Sequence, residues 1–449
     1  MTQRYLEQFN EFIADQANAA PRLVNALRRK AIERFMTLGF PTTRNEDWHF
    51  TSVAPIAERE FTFVAARTGD VTHADLEPFG FGGGEGWHSV VFVNGRFAPE
   101  LSDLRHLDPR VRLLPLSDAW TVAPELTQKV GSILSDAEQH TFTMLNTAFM
   151  PDGFVIHVPK DVELKQPIHC LFVTDAHAAK MVMHPRNLIL IERHARATVL
   201  ESYVSLAEAA YFTNAVTEVS VGEGATLAHY KIQREGRRAF HVGTIEASQA
   251  RDSHYVSFSF ATGGSLSRTN IYTKLAGEGC GSTLNGLYML DSEQHCDHQT
   301  RIEHAEPNCF SREVYKGVLD GRSHGVFNGK VYVHPAAQKT DGKQTNNTLL
   351  LSKEAQVDTK PQLEIFADDV KCTHGATVGK LDDLALFYMK SRGMDAETAR
   401  RLLIYAFAAD VLETIEQQQV REGLERSTLE RFVKEEIIPS EARNLQVVG

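Results

Sequence analysis

Residues 320–379 read DGRSHGVFNGKVYVHPAAQKTDGKQTNNTLLLSKEAQVDTKPQLEIFADDVKCTHGATVG. Three short extended runs lie in this stretch, at 331–333, 348–351 and 362–367. Gly, Asn, Asp and Pro separate them, and none has the length or the period of a helix. The stretch closes on Cys372-Thr373-His374. A strand continuing through this point sets side chains two apart on one face, so thiol and imidazole are expected to point the same way. Phe366, Asp368 and Val370 share that parity, which predicts a partly apolar face. A thiolate beside an imidazole suits a thiophilic metal or an iron–sulfur species. Two ligands leave a coordination sphere incomplete, so the others must come from another rung, another chain or a small ligand.

Upstream, from Gly153, the chain is short strands and turns for over 200 residues: FVIHV, PIHCLFVT, NLILIE, ATVLESYVS, TEVSV, ATLAHYKI, HYVSFSF and TNIYTKL. Similar turns recur as RHARAT at 193, GEGAT at 222, SQARDS at 248 and GEGCGST at 277, with starts 29, 26 and 29 residues apart. Loose repetition of this kind predicts stacked rungs, each burying its apolar side against its neighbours. The expected fold is mainly β, a β-helix, with a jelly roll as the alternative. Residues 294–309 (QHCDHQTRIEHAEPNC) are the most metal-like window by composition, yet match no zinc spacing. They are read as a turn region whose polar side chains bond to backbone, with Cys296 and His298 as second-rank ligands should it be a strand.

The flanks are helical. Tyr5, Phe9, Phe12 and Ile13 follow helical spacing, and after Pro21 the residues Leu23, Leu27, Ile32, Phe35 and Met36 form a stripe that Gly39-Phe40-Pro41 ends. TTRNEDWHFTSV (42–53) reads as a loop packed by its aromatics, and 117–143 as a largely helical connector. The Gly-rich residues 78–88 lack the phosphate-loop pattern and read as a hinge; GVFNGK at 325–330 fails the same pattern, so no nucleotide site is expected. Beyond Gly379, Leu381, Leu384, Leu386 and Phe387 mark one helix stopping at Gly393. Asp395 caps a second, with Leu402, Leu403, Ala406, Phe407 and Val411 on one face and Ile404, Tyr405 and Ala408 widening it. A third is expected at 427–437. The expected domains are 1–85 helical, 86–379 β-helix and 380–449 helical.

Hydrophobic content of 42% and charged content of 23% suit a globular protein, and the formal charge of −11 argues against a nucleic-acid partner. No apolar run nears the roughly 20 residues that span a bilayer. Residues 1–18 carry no signal-peptide pattern, so a cytoplasmic protein without a membrane partner is expected. The five cysteines, Cys170, Cys280, Cys296, Cys309 and Cys372, are scattered and form no C-x-x-C pair, which indicates neither a disulfide framework nor a zinc ribbon.

The runs GVFNGKVYVHPAAQKTDGKQTNNTLLLS and VDTKPQLEIFADDVKCTHGATVG resemble the signature of the SufB/SufD family of iron–sulfur cluster assembly proteins. Residues 42–53 and the lack of cysteine before Cys170 resemble its SufD branch. The resemblance implies a right-handed parallel β-helix between helical regions, a non-catalytic scaffold, a heterodimer with SufB, and the ATPase SufC docked on the C-terminal helices. It places a transient Fe–S cluster or iron where the two chains meet. His374 becomes the leading ligand and Cys372 the next, with Leu381, Leu384, Phe387, Tyr388, Leu402, Leu403 and Phe407 in the docking region. It leaves open a homodimer of the isolated chain and any role of flavin. Two other readings stand beside it: a purely structural subunit, and a carbohydrate-active β-helix enzyme.

Overall fold

The body is built by parallel pairing between strands two apart in sequence. In one sheet Thr226 lies opposite Arg196 and His254, Gly281 opposite His254 and Phe310, and Thr340 opposite Val370. In the other, Phe240 lies opposite Phe212 and Leu266, and His295 opposite Leu266 and His324. From Arg186–Ile191 onward partners are 26 to 32 residues apart, from Leu266 with Phe240 to Gln356 with His324. Successive strands alternate between an 11-stranded and a 10-stranded sheet. The result, in a computed structural model describing residues 2–15, 20–64, 69–81, 87–134 and 140–432, is a parallel β-solenoid of about eight turns. A jelly roll is excluded, because antiparallel ladders among the described residues are confined to the first end. There Arg96–Phe97 pairs with His88–Val93, and Arg112–Pro115 with Phe154–Val158.

The recurring turns are the corners of this stack. His194, Gly224, Asp252 and Gly279 take φ of 57°, 62°, 54° and 74°, so each corner bends through the left-handed region that Gly, Asp and His tolerate. The corners also touch: a Cβ on Gly224 would lie 2.6 Å from Nδ1 of His194. Between the sheets, side chains stack from rung to rung. The rings of Phe92, Phe172 and Tyr203 follow one another at 4.7 and 4.8 Å. Two interior tyrosines have glycine as a neighbour in register, Gly286 opposite Tyr315 and Gly317 opposite Tyr288. A Cβ at Gly286 would come within 2.3 Å of the Tyr315 ring.

Residues 294–309 correct the turn reading: His295–His304 is a full strand. Its alternation is polar on both faces because both faces are buried, one in the interior and one beneath the N-terminal region. Three readings fall in part outside the described residues: the hinge, at 82–86, the connector, at 135–139, and the end of the third C-terminal helix, from 433. That helix begins earlier than expected, at Gln418. The connector contains helices Leu116–Val122, Pro124–Thr127 and Thr141–Phe149.

Each sheet carries helices on its outer face. Helices Gln3–Asp15, Arg22–Leu38 and Thr141–Phe149 bring Tyr5, Phe9, Phe35 and Phe149 against Phe212, Phe240 and Leu266 of the 11-stranded sheet. Leu23, expected in the stripe, is 69% exposed; Val24 takes the buried place. Helices Ala396–Leu412 and Gln418–Phe432 cover the 10-stranded sheet with Ile404, Ala408, Val411, Val420 and Leu424, packed on Leu200, Tyr230, Phe258, Leu287 and Val318. The face that packs thus combines Val411 of the expected stripe with Ile404 and Ala408, expected only to widen it, while Leu402 is left outside.

The loop 42–53 is a strap as well as an aromatic plug. The guanidinium of Arg268 lies 3.7 Å from the centre of the Trp48 ring and donates to the Asp47 carbonyl. It also pairs with Asp297 at 2.8 Å, and the Thr51 hydroxyl donates to the same carboxylate at 2.6 Å. Arg268 and Asp297 are both buried. Removing one partner strands the other charge, so Arg268→Met is expected to lower unfolding free energy by roughly 3–5 kcal/mol in urea denaturation. Leu23→Ala, on the exposed side of its helix, should change it by under about 0.5 kcal/mol.

Candidate functional site: the last rung of the solenoid

Strands Gln356–Ile365 and Val370–Gly379 end their sheets. Among the described residues each is paired on one side only, with His324–Val333 and Thr340–Leu350 respectively. Cys372 lies opposite Gly342 and His374 opposite Gln344, both buried, so thiol and imidazole do share the inward-directed face. Cys372 is half-buried against Val331, Val333, Leu363 and Val370, and burial pushes its thiol up. Gly342 leaves room for it, since a Cβ there would sit 3.3 Å from the sulfur. His374 and every residue after it in the strand are exposed. The expected parity with Phe366 and Asp368 fails. The chain turns the corner between the sheets at 366–369, and Phe366 instead packs its ring 5.3 Å from Tyr332. Among the described residues no three His, Cys, Asp or Glu side chains converge to hold a metal ion.

Cys296 and His298 lie elsewhere, sealed in the interior of the 11-stranded sheet. The sulfur is 3.7 Å from His298 Nδ1, and His298 Nε2 is 3.2 Å from the Ser259 hydroxyl. Burial pushes the Cys296 thiol up to about 12 and holds the His298 imidazole down to about 4, so both are neutral at physiological pH. The structure does not bring this pair together with Cys372 and His374.

Sequence reasoning missed a charged cluster deeper in the interior. Lys231 Nζ is 2.8 Å from His241 Nε2, whose Nδ1 lies 2.8 Å from Glu235. His229 faces Glu201 at 3.1 Å, and Tyr203 donates to Glu201 at 2.5 Å. Burial pushes the Lys231 ammonium down against the pull of Glu201 and Glu235. The signal was present in ATVLESYVS and ATLAHYKI, where Glu201, His229 and Lys231 hold alternate positions. Alternation alone reads as a solvent face until both faces are known to be covered.

The expected docking residues divide. Leu384 (74% exposed), Phe387 (69%), Tyr388 and Leu402 stand in solvent, and helix Asp383–Ser391 buries no residue of its own. Leu381 and Phe407 are partly buried on the solenoid, with Lys316 over the Phe407 ring and paired with Asp410, while Leu403 is half-buried. Among the described residues no helix is long and apolar enough to cross a membrane.

Residues 172–407 match the family described as SUF system FeS cluster assembly, SufBD core domain, and residues 1–170 match the SufBD protein N-terminal region. An iron–sulfur cluster assembly SufBD family protein of Synechocystis is 34% identical, covering 88% of this chain and 87% of its own. The iron–sulfur cluster assembly protein SufD of Escherichia coli is 33% identical over 89% and 90%. A chloroplastic protein of Arabidopsis thaliana, ABCI7, is 33% identical over 93% and 89%. The chain belongs to the SufB/SufD family of iron–sulfur cluster assembly proteins and is most like SufD.

Proposed function

We propose that the chain is a non-catalytic scaffold subunit of the SUF assembly complex, pairing with SufB along strand Val370–Gly379 and holding a transient Fe–S cluster or iron at the seam. One observation carries this reading: among the described residues the solenoid ends on a strand paired on one side only, whose inward-directed face presents Cys372 and His374. An unpaired edge invites another strand, and a chain laid there brings its own ligands beside these two. His374, exposed, leads; Cys372, half-buried behind it, follows. The cluster is cargo, built at the seam and passed on. ATP hydrolysis belongs to SufC, docked on Leu384, Phe387, Tyr388 and Leu402 around the partly covered Leu381, Leu403 and Phe407. Nucleotide-driven movement of SufC biases the seam between open and closed states. The isolated chain can use the same edge for a homodimer, and the setting is the cytoplasm.

A purely structural role is favoured by one observation, the absence of a three-ligand cluster among the described residues. Iron content and cluster absorbance of the co-purified complex separate the two. His374→Ala is expected to lower cluster loading by roughly tenfold, as loss of a ligand or its support does elsewhere, with Cys372→Ser less severe. Full loading with both residues replaced would establish the structural reading instead.

The docking assignment has its own test. Leu384→Asp with Phe387→Asp is expected to abolish co-purification of SufC while leaving the thermal midpoint of the chain unchanged, because both side chains stand in solvent. Retained SufC would move the docking surface elsewhere.

A further inference from the structure

Glu313 is the anomaly of the interior. It is buried, and among the described residues it forms no ion pair. Its Oε2 accepts from Gln344 Nε2 at 2.6 Å, while Oε1 has no hydrogen bond of normal geometry. Register places Glu313 opposite Gln344, and Gln344 opposite His374, so the three stand in one column on the inward face. The titratable group it faces is Tyr315 on its own strand; around that tyrosine lie Tyr255, Cys296 and His298, and His304 faces the neighbouring Ser311. None is cationic near neutrality: burial holds His298 and His304 down to about 4 and pushes Cys296 and both tyrosines up. Lys231 is engaged with Glu201, Glu235 and His241.

We propose that Glu313 is the internal counter-charge of the last rung, a buried carboxyl that gives up its proton when a divalent cation binds at Cys372 and His374. The inference rests on the reading of that edge as an iron site. Strands stack at ~4.8 Å, so two steps separate Glu313 from His374 by about 10 Å. The path runs from buried Glu313 through buried Gln344 to the exposed His374, and over that distance, partly screened, a negative charge strengthens cation binding by roughly tenfold. Burial raises the Glu313 carboxyl to about 7, so the nearby cation decides its state at neutral pH. The balance is simple: the carboxyl O–H bond breaks, its proton leaves to solvent, and no electron moves. Glu313 touches neither metal nor ligand and is a positioning residue acting through the field.

Co2+ is the probe, titrated into the full chain co-purified with its partner from about pH 6 to about pH 8, following the thiolate-to-cobalt absorption. The wild type should gain affinity steeply with pH. Glu313→Gln, which imitates the protonated acid in shape and charge, should bind roughly tenfold more weakly at the upper end and equally at the lower. In the wild-type complex the infrared band of a protonated, buried carboxyl should fade on adding Co2+, a measurement that needs no variant. A wild-type pH profile in Glu313→Gln, or a band that persists, overturns the role of Glu313. If His374→Ala and Cys372→Ser leave Co2+ binding unchanged, the edge reading itself falls, and that outcome is distinct from the first two.

Discussion

A parallel stack satisfies the backbone N–H and C=O groups of a strand only when a neighbour lies on both sides, and every solenoid must therefore end somewhere. The two ends here differ. At the first, short antiparallel strands Arg96–Phe97 and Arg112–Pro115 close the two sheets. At the second, among the described residues, nothing follows Gln356–Ile365 and Val370–Gly379 in their sheets. The first of these two edge strands carries Pro361 in its middle, opposite Gly329, beside Lys360. Proline lacks the N–H that an added strand needs, and lysine discourages edge pairing. Val370–Gly379 has no proline and, past Lys371, no Asp, Glu, Lys or Arg. The guarded edge and the unguarded edge lie side by side, and Cys372 and His374 are on the unguarded one.

The interior explains why so polar a sequence folds as a core. Early rungs are filled by Val90, Phe92, Ile189 and Val219, later ones by hydroxyl, amide and ionisable groups around Tyr255, Tyr288 and Tyr315. Buried charges are tolerated where they are paired and bonded, as with Lys231 between Glu201 and Glu235. Aromatic bulk then sets the spacing at two rungs: Tyr288 and Tyr315 each lie opposite a glycine in register, Gly317 and Gly286, where a Cβ would meet the ring. Packing in one rung thus constrains composition in the next, which is why the repeat survives as turns and volumes rather than as a sequence motif.

That distinction governs what could be read in advance. The corners were legible because a left-handed residue is demanded at each, and only Gly, Asp and His meet that demand at 194, 224, 252 and 279. The shared face of Cys372 and His374 was legible because strand parity is strictly two. The strand His295–His304 was not, because the rule that opposes polar to apolar presumes one dry face and one wet face. Here Asp297 is buried outward under Thr51 while Cys296 and His298 are buried inward. The packing face of Ala396–Leu412 was misjudged for a related reason. A helix apolar almost all round shows no preferred side, and the surface it meets decides.

The unguarded strand and the exposed helix are also joined in sequence. Only residues 380–382 separate Val370–Gly379 from Asp383–Ser391, and Asp382 caps that helix by accepting from the Leu384 N–H at 2.9 Å. The helix buries nothing of its own and rests on Ala396–Leu412, which is itself fixed to the solenoid through Ile404, Ala408 and Val411. A body bound to Leu384 and Phe387 therefore holds an exposed element with a three-residue tether to the last strand. On its other side residues 392–395 join it to Ala396–Leu412, so the helix links the edge strand to the core-packed helix. Under the proposed reading, this geometry sets an ATPase at the helix within three residues of the strand that forms the seam.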